Sequence, residues 1–120
     1  MDYFMIPGGK VKELETSEQA IIREVKEEIG YDNLNFDFAG VSEEIVEKGK
    51  VKIQQLTLIY KCVYEGIIEN EIFKGIESDW INFEWVQIND IDNYKMHPSN
   101  IQNMIKNSNT INHLVEIVNK

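Results

Sequence analysis

Cysteine is nearly absent: the 120-residue chain has one, Cys62, so no intrachain disulfide can form. It sits in the apolar and aromatic run "LIYKCVY" and is read as a small buried core residue rather than a reactive thiol, which leaves redox chemistry unsupported. Long apolar runs are missing too, and no basic stretch leads into an apolar one at the N-terminus. Neither a membrane span nor a secretory leader is expected, and the chain is read as a soluble cytoplasmic protein. Cations are scarce, with 12 Lys and Arg against 21 Asp and Glu and a formal net charge of -9. Such a surface opposes a nucleic-acid backbone, whose affinity comes from Lys and Arg displacing counterions. Neither a nucleic acid nor a membrane is expected as a partner. A phosphorylated small molecule would need a cation to bridge it to this surface; otherwise the acidity serves only solubility. The length fits one domain spanning 1–120.

What is present reads as alternating strand and helix signals. Tyr3 to Ile6 is a short strand entering the Pro7-Gly8-Gly9 loop. Thr16 is a good N-cap, with Gln19 completing a capping box, and Gly30 suits the left-handed position after Ile29. At about 100° per residue, Ile21, Ile22, Val25 and Ile29 form one stripe of this helix and Glu24, Glu27 and Glu28 another. From Leu34 the apolar period becomes two and runs towards Val46, with Glu47 to Lys50 as a hairpin turn. Val51 to Tyr64 and Ile81 to Val86 are further strands, separated by a partly looped acidic stretch. Asn89 to Tyr94 is a turn or short helical piece. Pro98 starts a helix whose inner face is Ile101, Met104 and Ile105, and Ile111, Leu114, Val115 and Val118 mark a final amphipathic helical segment that contains His113.

The acidic stripe raises an electrostatic question. Three carboxylates at i, i+3 and i+4 repel one another, and in a last turn they also face the negative end of the helix dipole. A hard divalent cation, which takes carboxylate oxygens, waters and phosphates, would relieve that cost. The spacing extends further: Gly9, five residues, Glu15, seven residues, Arg23-Glu24-Val25, Lys26, Glu27-Glu28, Ile29, Gly30, Tyr31. This closely resembles the Nudix box, G-x5-E-x7-R-E-U-x-E-E-x-G-U with U bulky and apolar. All seven fixed positions agree, and chance agreement at one register is on the order of 1 in 10⁸. Two places depart from the usual pattern: Tyr31 stands where an aliphatic residue is commoner, and Leu14 where many members have glycine.

The resemblance implies an α+β fold, a Nudix-like mixed β-sheet sandwiched between helices. It also implies hydrolysis of a diphosphate linkage in a nucleoside diphosphate derivative with Mg²⁺ or Mn²⁺. The alternative is a Nudix-fold module that binds nucleotide and metal with weak or no turnover. Carried over by position, Glu24, Glu27 and Glu28 would hold metal with the Gly8 carbonyl, Arg23 would orient the carboxylates, and Glu15 would anchor the loop to the helix. Gly9, Glu15 and Gly30 are the motif's structural positions. The general base would be Glu24 or Glu27, or else Glu77 or Asp79 in the loop before "INFEWV", where solvation of the loop is an equal reading. Trp80 is read as core or surface packing rather than base stacking, and His97 and His113 as structural. Glu43 and Glu44 are read as a strand-edge pair, with approach to the metal the less favoured role. Nudix domains usually carry some tens of residues before the box, whereas eight precede Gly9 here. Truncated N-terminal strands leave a sheet edge open, so either a homodimer through that edge or a fragment of a longer protein is expected.

Overall fold

The computed structural model describes residues 4–78, 80–98, 100–107 and 109–119. In chain order these form helix α1 (Ser17–Glu28), strands β1 (Asp37–Lys48), β2 (Val51–Lys61), β3 (Ile72–Lys74) and β4 (Asn82–Glu84), a 3₁₀ turn (Ile88–Asn93), helix α2 (Ile101–Lys106) and strand β5 (Asn112–Asn119). The class is α+β with a mixed sheet, as expected. The chain gathers into two compact units, one of Met1–Met5, Phe38–Lys61 and Ile88–Lys120, the other of Ile6–Asp37 and Cys62–Gln87. Among the described residues no helix is long and apolar enough to cross a membrane.

The first unit is built on a three-stranded sheet in the order β2-β1-β5. The two-residue turn at Gly49-Lys50 joins β1 to β2, a connection only an antiparallel pair can make. β5 runs parallel to β1, in register from Gly40↔Asn112 to Glu47↔Asn119. Helix α2 packs on the 3₁₀ turn and on β5, and it buries Ile101 and Met104 almost completely. Lys106 Nζ closes on Asp92 at 2.8 Å, tying the helix to the turn. Phe4 forms a bridge with Met96, through Phe4 N donating to Lys95 O at 2.7 Å and His97 N donating to Phe4 O at 2.9 Å.

The second unit carries α1 and the β3–β4 hairpin. Thr16 Oγ1 accepts from Gln19 N at 3.1 Å and Gln19 Oε1 accepts from Thr16 N at 2.9 Å, the expected capping box. At the other end Gly30 takes φ 86° and donates to Lys26 O at 3.0 Å. A side chain there would collide with Ile76, and Ile76 N in turn donates to Glu28 O at 2.9 Å. The hairpin loop thus caps the last turn of α1. Phe73 and Phe83 face each other across the hairpin.

Several expectations are corrected. The final amphipathic segment is a strand, not a helix: "NHLVEIVN" is rich in β-branched residues and its backbone groups are taken up by β1, so His113 also lies on a strand. Of Tyr3 to Ile6, Phe4 alone pairs, as a single bridge, and Tyr3 lies outside the described residues. On α1 the buried positions are Ala20 and Val25, while Ile22 is exposed. β2 stops at Lys61 rather than Tyr64, because Tyr64 leaves the ladder to stack on Tyr31 with ring centroids 4.3 Å apart. Cys62, just past the end of that strand, is exposed rather than buried. Trp80 is exposed, which fits the surface position and not the core one of the two read for it.

Candidate functional site

One turn of α1 and the loop before it converge on one guanidinium. Arg23 Nε and NH2 grip Glu15 Oε2 and Oε1 at 2.8 and 3.0 Å. Its NH1 donates to Glu24 Oε1 at 2.8 Å and to Glu27 Oε2 at 3.2 Å, and NH2 also donates to Lys10 O at 3.0 Å. The fork is rigid and planar, so Arg23 fixes the loop and two carboxylates of the acidic stripe together. Glu15 Oε1 additionally accepts from Lys12 N at 3.0 Å. The Arg23 guanidinium first, and the Lys12 amide second, hold the Glu15 carboxyl down at about 2. Arg23 is itself pushed above its ordinary range by Glu15 and Glu24. Sequence reasoning did not find the Lys10 carbonyl or the Lys12 amide, because main-chain partners leave no mark in residue types.

Gly9 lies directly over Glu24, and a side chain at Gly9 would run into the Glu24 carboxylate. Glycine lets the loop come this close without pushing the carboxylate aside. Glu28 is half-buried on the same helix face, without the guanidinium's help. Burial, then hydrogen bonding to Glu24 and repulsion from Glu24 and Glu77, push its carboxyl up to about 7, and the Gly8 backbone pulls slightly the other way. The structure therefore brings Gly8, Gly9, Glu15, Arg23, Glu24, Glu27, Glu28 and Glu77 into one constellation; Asp79 lies outside the described residues. A carboxyl held up to about 7 among other acids marks a donor set short of positive charge. Its oxygens are of the hard type that Mg²⁺ and Mn²⁺ take.

Leu14 adopts φ 63° and is fully exposed. This left-handed conformation explains why a glycine would suit the position.

The same unit holds a cleft of about 310 Å³ walled by Tyr31, Tyr64, Phe73 and Trp85, with Glu69 and Asn70 at its polar side. Tyr31 and Tyr64 stack within 4° of parallel, and Trp85 stacks on Tyr64 at 5.6 Å. Burial, with Tyr64 beside it, raises the Tyr31 phenol.

Comparison with known proteins agrees with the motif. The family model described as NUDIX domain matches residues 2–107. The "Uncharacterized Nudix hydrolase YvcI" of Bacillus subtilis (strain 168) is 26% identical over 96 residues, covering 80% of this chain and 58% of that protein. The chain thus spans less than two thirds of the relative's length.

Proposed function

The chain belongs to the Nudix family, and from that membership we propose that it is a pyrophosphohydrolase acting on a nucleoside diphosphate derivative with Mg²⁺ or Mn²⁺. The observation that carries this reading is the Arg23 hub, which gathers Glu15, Glu24 and Glu27 while Gly9 closes over Glu24. Glu24, Glu27 and Glu28 would hold the ion with the Gly8 carbonyl. When bound, the ion neutralises phosphate charge and lowers the pKa of a bound water.

The chain's own residues do the rest. Arg23 keeps the Glu24 and Glu27 carboxylates aimed to one side, so that little reorganisation is needed when the substrate's charge arrives. Glu15 holds the loop that carries Gly8 and Gly9 against the helix. In the reaction a water oxygen bonds to one phosphorus, the bridging P–O bond breaks, and the water's proton passes to a carboxylate. The candidates are Glu24, Glu27, Glu77 and Asp79. Of the two box candidates Glu27 is held less tightly, with 44% of its side chain exposed and its contact to Arg23 at 3.2 Å, against 14% and 2.8 Å for Glu24. The aromatic cleft supports a place for the base or another flat part of the substrate, since such faces stack on any base.

We take residues 1–120 as one domain and infer a homodimer through the open edge of the sheet. The exposed Val51, Ile53, Leu56 and Leu58 on the edge strand β2 support that inference. The test of function is product release from a panel of nucleotide diphosphate compounds with Mg²⁺ or Mn²⁺. Turnover lost in Glu27→Gln and Glu28→Gln supports the enzyme. Metal-dependent binding without turnover would replace it with the binding module.

A further inference from the structure

A second cluster of metal-ligand type lies in the sheet unit, among residues that the Nudix box does not include. β1 alternates strictly through its middle, yet its sheltered positions are Ser42 and Glu44, 2% and 8% exposed, while Ile45 turns outward at 39%. β5 repeats the inversion: Val115 and Ile117 are exposed, and Glu116 is the direct parallel partner of Glu44. A half-buried sheet ordinarily turns its apolar residues in. Here both strands turn a carboxylate in, directly opposite each other, an arrangement that repels and that is costly to bury.

His97 completes the group. Its Nε2 lies 2.8 Å from Glu44 Oε2, and one ligand atom from each of Glu44, His97 and Glu116 lies within 4.8 Å of the others. The trio offers two carboxylates and one imidazole, and a divalent cation matches the charge of the two carboxylates. The donors are one nitrogen and two oxygens, a set that suits Zn²⁺ and is too soft for Mg²⁺ to prefer. Ligand bonds of about 2.0–2.2 Å place donors roughly 3.3 Å apart around a tetrahedral ion, so small side-chain adjustments close the site. Two residues before Glu44 on the same face of β1, Ser42 Oγ is buried and has no hydrogen-bond partner among the described residues. A ligand water would satisfy it. His97 is 38% exposed and gives the ion a way in from solvent.

We propose that Glu44, His97 and Glu116 form a Zn²⁺ site, separate from the box glutamates, that fastens the edge strand β5 to the segment carrying His97. The test titrates Zn²⁺ into the full chain and into Glu27→Gln/Glu28→Gln, following binding by calorimetry and the two histidine ring resonances by NMR. One equivalent should bind in the double variant and at least that one in the parent, in both moving His97 but not His113, which instead pairs with Glu43 at 2.7 Å. Glu116→Gln should weaken that equivalent by more than the roughly 10–100-fold that losing an outer partner costs, with the circular dichroism spectrum unchanged. Mg²⁺ alone should leave His97 where it is. A His97 resonance unmoved by stoichiometric Zn²⁺, or equal Zn²⁺ affinity in Glu116→Gln, would overturn the proposal. The first of these readouts needs no variant to fold.

Discussion

Replacing Glu28 by glutamine should make the metal-free protein more stable at pH 8 and remove its response to Mg²⁺. Burial, Glu24 and Glu77 raise the Glu28 carboxyl from an ordinary 4.5 to about 7. A folded-state pKa above the unfolded one means the fold favours the neutral acid. The corresponding stability is whole below pH 4.5, declines between 4.5 and 7, and is gone above 7. At about 1.4 kcal/mol per pH unit that interval amounts to ~3 kcal/mol. Solvent screening of a half-exposed carboxylate brings it to about 1 kcal/mol, or roughly 3–5 °C in melting temperature for a chain this size. Glutamine keeps a neutral donor for Glu24, as the protonated acid does. Scanning calorimetry in EDTA should therefore place Glu28→Gln above the parent at pH 8, with the gap closing by pH 5. With Mg²⁺ at ten times its Kd the parent should gain about 1.4 kcal/mol and the variant far less. A variant less stable than the parent at pH 8 in EDTA, or a gap independent of pH, would refute this reasoning. One calorimetric transition for the whole chain is also what a single domain over 1–120 requires.

Gly9→Ala should press on the Glu24 carboxylate, the movable end of a side chain, so stability should fall by no more than about 1 kcal/mol. Turnover should drop at least about tenfold, because a ligand displaced by an ångström or so spoils positioning; parent-like rates would contradict the placement of Glu24. Leu14→Gly should stabilise the protein by up to about 1 kcal/mol in urea titrations, since Leu14 sits at φ 63° with no burial to lose; a loss of stability would show that the side chain makes a contact in solution. Sedimentation should give a dimer, and Leu56→Lys on β2 should dissociate it; a compact monomer of the parent would end the edge-pairing inference.

The sequence revealed the box because its geometry is local. Helix pitch alone puts Glu24, Glu27 and Glu28 on one face, and Thr16 with Gln19 or Gly30 after Ile29 act within a turn of the positions they cap. The change of apolar period near Leu34 marked the passage from helix to strand, while the α+β class came with the family resemblance that the box carries. What escaped was set by distant partners. Ile111, Leu114, Val115 and Val118 fit a helical period as well as a strand, and pairing with β1 across the chain decides between them. The same pairing sets Glu116 opposite Glu44 and makes His97, read as structural from its neighbours alone, part of a ligand-type cluster. The three-residue strand β3 is too short to carry a period. Cys62 looked buried because its neighbours are apolar, yet the strand ends one residue before it.

The most direct test incubates the protein with Mg²⁺ or Mn²⁺ and a panel of nucleoside triphosphates, sugar nucleotides, ADP-ribose, NADH and dinucleoside polyphosphates, and measures the release of nucleoside monophosphate or phosphate. Metal-dependent release from at least one compound is expected, falling by roughly 10²-fold or more in Glu27→Gln and Glu28→Gln. Release that needs no metal, or that survives both substitutions unchanged, would contradict a diphosphate-cleaving site on the acidic face of α1.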